Sequence, residues 1–106
     1  MYLNIKNKKT EIKKYDTFKD RFKSFRFYLE PIDFGIWFPN KKLASTYFFC
    51  QRVDICFTDE NLKVLAIYNN IKSEKRKFKF KSKNIFYLPV GTCSELKVGD
   101  TLNIKE

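Results

Sequence analysis

Turn signals divide most of this chain into short apolar segments, and this pattern constrains the fold more than any other feature. From position 34 onward, runs rich in Phe, Tyr, Val and Ile are separated by clusters of Pro, Gly, Asn and Asp. Aromatic and β-branched residues favour strands, whereas the residues in the clusters favour turns. The series predicts a mainly antiparallel sheet that closes toward a barrel.

The predicted strands are short and account for most of the chain. Residues 77–81 read Lys-Phe-Lys-Phe-Lys, an alternation typical of a strand with one solvent-exposed face. We expect this strand at an edge of the sheet, where its lysines discourage further strand pairing. Residues 58–61 are a predicted turn between two strands that form a hairpin. In all we expect about seven or eight strands, at 2–5, 10–15, 34–38, 46–57, 62–68, 77–81, 85–90 and 101–104.

One segment, residues 17–29, has helical periodicity. Phe18, Phe22 and Phe25 share one helical face, and Thr17 followed by Asp20 forms a capping-box pattern. We expect this helix to cover one end of the sheet, with Phe22 as its most buried residue. The predicted class is therefore mainly β (α+β). With 106 residues and no linker, the chain is expected to form a single domain over residues 1–106.

The residue types that are absent exclude several kinds of chemistry. The chain has no histidine, so imidazole catalysis and His-ligated metals are excluded. Its three cysteines, Cys50, Cys56 and Cys93, form no C-x-x-C pair. We therefore expect free thiols in the cytoplasm, no metal and no cofactor. The longest uncharged run has 11 residues, whereas a membrane helix needs about 20 apolar ones, so we expect no membrane partner. A monomer is expected.

A net charge of +10 raises the question of nucleic-acid binding. The basic residues concentrate in two segments, 6–26 and 72–83. Eighteen lysines against four arginines are also what A/T-rich codons would produce, and phosphate or guanine recognition draws more on arginine. Both explanations stay open. In the second segment the candidate nucleic-acid contacts are Lys72, Lys75, Arg76, Lys77, Lys79, Lys81 and Lys83.

Asp54 is the most unusual polar residue, because it lies inside the apolar run 53–57. A buried carboxylate must be paired or hydrogen-bonded. It could act as a general acid or base, or contact a ligand at a barrel mouth. The structural alternative, which we favour, pairs it with Arg52 or with backbone N–H groups at a turn. We identify no catalytic residue, because neither Ser45 nor Thr46 has a recognisable base.

Six short blocks, taken in order, resemble domain of unknown function family 192, a family of small bacterial and archaeal proteins. They include Ser-Thr-Tyr-Phe-Phe at 45–49, Val-Asp-Ile-Cys-Phe at 53–57 and Leu-Pro-Val-Gly-Thr at 88–92. The other three are at 34–38, 59–65 and 97–102, so the resemblance covers roughly residues 10–104. The family's motif positions fall here on Arg21, Thr46, Asp54, Leu88, Pro89, Gly91, Gly99 and Asp100.

The resemblance implies a compact β-rich barrel without an assigned activity. The chain departs from the family at Tyr87, which stands where the late motif usually has an acid, and at Ser45, where Asn or His is usual. We therefore expect a non-enzymatic module that binds an unknown protein or small ligand. The alternative is a nucleic-acid-binding domain that uses the basic segments 6–26 and 72–83.

Overall fold

The computed structural model describes residues 1–5, 8–14, 33–39, 43–44, 51–72, 78–79 and 83–105. Every regular element in these ranges is a strand, which confirms the β-rich class. The predicted helix at 17–29 lies outside the described residues. The strands are β1 (Tyr2–Ile5), β2 (Lys8–Lys14), β3 (Gly35–Pro39), β4 (Leu43–Ala44), β5 (Val53–Thr58), β6 (Val64–Ile71), β7 (Phe78–Lys79), β8 (Asn84–Leu88) and β9 (Asn103–Lys105).

Seven of these strands form one sheet in the order β6-β5-β8-β3-β2-β1-β9, while β4 and β7 pair with each other. The pairing in the large sheet is antiparallel except between β2 and β3, which run parallel. β8 lies between β5 and β3, although it follows both in the chain. The sheet is therefore mainly antiparallel, as predicted, with one parallel pair that was not.

The turn between β5 and β6 is held by its own acidic residue. The Asp59 carboxylate accepts hydrogen bonds from the backbone N–H groups of Asn61 and Lys63, each at 2.9 Å. Leu62 has φ +64° and donates its N–H to the Asp59 carbonyl at 3.1 Å. Asp and Asn stabilise turns in this way, so the predicted turn and hairpin are confirmed.

The sheet curls until its two edges approach each other. The N–H of Val64 donates to the carbonyl of Asp100 at 2.7 Å, and the N–H of Leu102 donates to the carbonyl of Leu62 at 2.8 Å. Gly99 adds a third bond, to the carbonyl of Val64 at 2.9 Å. These bonds join the start of β6 to the segment that enters β9. The turn at 97–100, in which the N–H of Asp100 donates to the carbonyl of Lys97 at 3.0 Å, makes this closure.

Apolar side chains form a buried layer on each face of the sheet. The inner layer joins residues from the middle of the sheet and from both edges, so it lies on the concave side: Leu3, Ile5, Ile12, Cys56, Val64, Phe86, Leu88, Cys93 and Leu102. The outer layer lies on the convex side of β3, β5 and β8: Ile36, Phe38, Val53, Ile55, Phe57, Ile85 and Tyr87. Every residue of β5 and β8 is buried, as expected for central strands.

The concave face has two distinct ends. β5 and β8 pair so that Asp54 lies opposite Leu88 and Thr58 lies opposite Asn84. We call the first end, with the loop 89–93 that follows β8, the Asp54 end. The second end, where Thr58 and Asn84 lie beside Trp37 of β3, is the Trp37 end.

Within the described ranges, no helix is long and apolar enough to cross a membrane.

Candidate functional site

The carboxylate of Asp54 is buried and holds three backbone groups. Its Oδ1 accepts the N–H of Asn70 at 2.9 Å, and its Oδ2 accepts the N–H groups of Gly91 at 3.0 Å and Cys93 at 3.2 Å. Only 1% of the residue is exposed. Hydrogen bonds to an ionised acceptor are stronger than neutral ones, so Asp54 fixes both the end of β6 and the loop 89–93.

The local sequence explains why that loop turns toward Asp54. Leu88 ends β8 directly opposite Asp54, and Pro89 then stops the strand because it has no N–H for the ladder. The hydroxyl and the N–H of Thr92 both donate to the Pro89 carbonyl, at 2.7 and 3.1 Å. Gly91 has φ +95°, a conformation that side chains disfavour, and it directs its N–H inward.

Arg52 does not neutralise Asp54, although the two residues are only two positions apart. The Arg52 side chain is exposed and donates to the backbone carbonyl of Asn70 at 3.3 Å. The structure thus contains the second of the two structural alternatives, a carboxylate satisfied by backbone N–H groups at a turn.

Four of the family-motif positions meet at the Asp54 end: Asp54, Leu88, Pro89 and Gly91. Gly99 and Asp100 lie elsewhere, in the turn that closes the sheet, where Asp100 Oδ2 accepts the N–H of Lys97 at 2.9 Å. Arg21 and Thr46 lie outside the described residues. The described motif positions therefore divide between an ordered loop and the closure of the sheet.

A cleft of about 470 Å³ opens beside the loop at the Asp54 end. Lys9 is its charged residue, Thr10 and Thr92 supply hydroxyls, and Val90, which is 52% exposed, forms an aliphatic rim. Ile5 and Gly91 complete the lining. The cleft can therefore contact a ligand that has an anionic group and a small apolar part.

Two buried thiols, Cys93 in this loop and Cys56 in β5, lie near each other. Cys56 and Cys93 are both free, and Cys93 is the residue whose N–H donates to Asp54. Burial raises the pKa of Cys93 to about 12, with the negative charge of Asp54 adding to the effect. Burial, and then the neighbouring Cys93, also raises the pKa of Cys56. Thiolates are the reactive form, so both cysteines behave as core residues at neutral pH. Cys50 lies outside the described residues.

The Trp37 end was not predicted as a site. Trp37 is half-buried, its ring stacks on Phe86 with centroids 5.7 Å apart and planes 13° apart, and the ammonium of Lys14 lies 5.0 Å from its centroid. Its indole N–H donates to Asn84 Oδ1 at 2.9 Å. A cleft of about 320 Å³ here is lined by Trp37, Glu60, Leu62, Lys83 and Asn84. In the sequence, Trp37 is one aromatic residue in an apolar strand, and nothing distinguishes it from core.

Four described lysines of the two basic segments lie at the two ends of the large sheet, whereas Lys13 holds its ammonium 4.4 Å from the centroid of the Phe34 ring. Lys9 lies at the Asp54 end, and so does Lys72, which follows the point where β6 pairs with Val53. Lys14 and Lys83 lie at the Trp37 end. Lys79 is in β7, opposite Leu43. Lys75, Arg76, Lys77 and Lys81 lie outside the described residues.

No cluster of three or more His, Cys, Asp or Glu side chains that could hold a metal occurs in the described ranges.

Comparisons with known proteins add evidence for the fold. No family model matches the chain, and no curated protein matches it either. The chain is similar in structure to a protein of unknown function from Novosphingobium aromaticivorans, with a TM-score of 0.79 and 15% identity over 97% of this chain and 82% of that one. It is also similar to a candidate transcription regulator from Sinorhizobium meliloti, with a TM-score of 0.78 and 14% identity over 96% of this chain and 89% of that one. At such identities these likenesses show a shared fold alone.

Proposed function

We propose that this chain is a non-enzymatic binding module of domain of unknown function family 192, and that its ligand occupies the cleft at the Asp54 end. One observation carries the proposal: the Asp54 carboxylate accepts three backbone N–H groups and so fixes the loop 89–93 that borders the cleft. A loop held by a buried charge is preorganised, and preorganisation lowers the entropic cost of binding.

The geometry of Asp54 favours binding over catalysis. A general acid or base needs an oxygen within reach of the substrate's proton. Both oxygens of Asp54 face backbone donors, and the residue is only 1% exposed. The raised pKa of Cys93 argues against a nucleophilic thiol beside it. The same free thiols favour a reducing compartment, so we propose a cytoplasmic location.

The lining of the cleft indicates a small carboxylate or phosphate with a short aliphatic part. The Lys9 ammonium attracts the anionic group, the hydroxyls of Thr10 and Thr92 can hydrogen-bond to it, and Val90 contacts the apolar part. The net charge of +10 draws anions to the whole surface and so aids encounter.

An NMR titration of the labelled protein with inorganic phosphate and with butyrate tests this proposal. We expect the largest amide shifts at Thr10, Gly91 and Thr92, and saturation at a lower concentration for butyrate, which can also contact Val90. Lys9→Gln should abolish the saturable shifts. Lys97→Gln, which removes an equal charge from an exposed turn, should leave them intact. Shifts spread over the whole surface, or equal losses in both variants, would contradict the proposal.

Nucleic-acid binding is the second candidate function. The charge of +10 and the similarity to the Sinorhizobium meliloti candidate transcription regulator favour it. A non-specific binder should weaken steeply with added salt, with a log–log slope that counts the neutralised phosphates. Affinity for duplex and single-stranded DNA, measured over a salt series, separates this function from small-anion binding.

A further inference from the structure

We propose that the Trp37 end is a nucleotide-binding site, in which a base stacks on Trp37 and its phosphate is held by Lys14 and Lys83. This site is separate from the cleft at the Asp54 end, because Asp54 and Thr58 lie at opposite ends of β5. It does not depend on the function proposed for that cleft. It gives the nucleic-acid alternative a specific location.

The indole of Trp37 is held in one orientation by two contacts. On the sheet, Phe86 lies directly opposite Trp37 in register, and the two rings are close to parallel. At the ring edge, the indole N–H donates to Asn84, whose own amide donates to the Asp59 carbonyl at 2.9 Å. Asn84 is only 6% exposed, so packing holds its side chain in place. A fixed aromatic ring that is partly exposed is suited to stacking.

Two lysines from distant parts of the sequence lie at this end, Lys14 over the Trp37 ring and Lys83 in the lining of the cleft. Lys14 pairs with Trp37 in the parallel β2–β3 ladder and holds its ammonium 5.0 Å from the ring centroid. Lys83 comes from the other basic segment and lines the same cleft. When a base stacks on Trp37 in place of the Lys14 ammonium, that ammonium can contact the phosphate of the same nucleotide. Aromatic rings with adjacent lysines are the usual means of binding single-stranded nucleic acids.

The remaining lining narrows the class of ligand. The cleft of about 320 Å³ is near the lower limit for small-molecule sites, which suits a single nucleotide unit. Glu60 places a carboxylate on the rim, where it can accept hydrogen bonds from sugar hydroxyls or exocyclic amines. Leu62 contributes an apolar wall. The shared chemistry is a base with an attached phosphate, supplied either by a free nucleotide or by a single strand.

Trp37 is the single tryptophan of the chain, so its intrinsic fluorescence reports on this site alone. We would titrate the protein with adenosine 5′-monophosphate, adenosine, inorganic phosphate and an oligothymidylate. The nucleotide or the oligonucleotide should quench Trp37, and adenosine and phosphate should each bind at least about tenfold more weakly, because each lacks half of the ligand. Saturation by the mononucleotide identifies a free nucleotide. Saturation by the oligonucleotide alone, with strong salt dependence, identifies a single strand.

Paired substitutions separate a site from general attraction. Lys14→Gln with Lys83→Gln removes both phosphate contacts from exposed positions, and it should weaken binding at least about tenfold and reduce the salt slope for the oligonucleotide by about two. Lys97→Gln with Lys105→Gln removes the same charge elsewhere and should leave the affinity within about twofold at low salt. Equal weakening in both double variants, or no fluorescence change with any probe, would overturn the proposal. Neither result would affect the phosphate and butyrate titration at the Asp54 end.

Discussion

The buried carboxylate of Asp54 accepts a hydrogen bond at 3.0 Å from the backbone N–H of Gly91, 37 positions later in the chain. This bond joins a central strand to the loop that follows its neighbour β8. Gly91 can turn its N–H inward because it adopts φ +95°. The two residues therefore depend on each other: the acid needs buried donors, and the loop, which lies outside the strand ladder, needs the anchor that Asp54 provides.

The first prediction tests this anchor. Asp54→Asn keeps the shape of the side chain but removes its charge and directs an NH₂ group toward backbone donors. We expect it to lower the free energy of unfolding by about 2–4 kcal/mol, because buried charged hydrogen bonds are weakened or lost together. Urea denaturation monitored by fluorescence measures the change.

Asp100→Asn is the matched control. Asp100 also accepts a backbone N–H, from Lys97, but at an exposed turn where water can replace the bond. Its substitution should cost less than about 1 kcal/mol. If both variants lose the same small amount, Asp54 is not the anchor of the loop.

The second prediction concerns Gly35 in β3, where the neighbouring strands come close. A Cβ built on Gly35 would lie 2.5 Å from Leu88 Cδ2 and 3.0 Å from Ile12 Cγ2. Gly35→Ala should therefore destabilise the protein by about 1–3 kcal/mol, as overpacking of a core does. Thermal and urea unfolding would show it. The double variant Gly35→Ala with Leu88→Val, which shortens the clashing side chain, should recover part of the loss, whereas simple additivity of the two costs would rule out a clash with Leu88.

Local patterns predicted most of the described strands but not all of their bounds, since the strand expected at 46–57 begins at Val53, and β4 was not expected. The turn at 58–61 and the hairpin around it follow from Asp59 and Asn61 and need no distant contact. The parallel pairing of β2 with β3 could not be read in this way. The direction of β3 depends on the path taken by residues between Lys14 and Gly35, and periodicity does not encode that path. Periodicity also does not encode the position of β8 between β5 and β3, because that position depends on pairing between segments that are distant in the sequence.

The candidate sites show the same division between local and distant information. A charge within the apolar run 53–57 was enough to predict that Asp54 must be buried with partners. It was not enough to identify those partners, because Gly91 and Cys93 approach Asp54 only after β8 pairs with β5. Trp37 carried no local signal at all. It becomes a candidate only when Lys14, from a different strand, is found over its ring.

The third prediction uses the raised pKa of Cys93, which is about 12 in the folded protein against 9.0 for an ordinary thiol. Because the folded pKa is the higher one, the neutral thiol stabilises the fold fully below pH 9.0, and this contribution falls as the pH rises toward 12. Between about pH 8 and about pH 10.5, the wild type should lose about 2 kcal/mol more than Cys93→Ala. Urea denaturation over a pH series measures both proteins.

The comparison with Cys93→Ala removes the contribution of lysines and tyrosines, which titrate in the same range in both proteins. Parallel pH profiles would mean that Cys93 ionises without cost, so that its burial does not shield the thiol from water. The same burial predicts that a thiol reagent reacts with Cys93 slowly in the folded protein and rapidly in denaturant.

The last prediction concerns the basic segment 72–83, where Lys75, Lys77, Lys79 and Lys81 alternate with other residues. If all four contact phosphate, replacing them by Gln should reduce the salt slope of DNA binding by about three to four units. We expect a much smaller change, because A/T-rich codons would also produce these lysines and because alternation is typical of an edge strand whose lysines prevent aggregation. The variant should stay folded and associate more readily, which light scattering detects.

Since Lys14 and Lys83 are retained in this variant, quenching of Trp37 by nucleotide should persist. A full loss of slope without new association would instead place nucleic-acid binding on this segment.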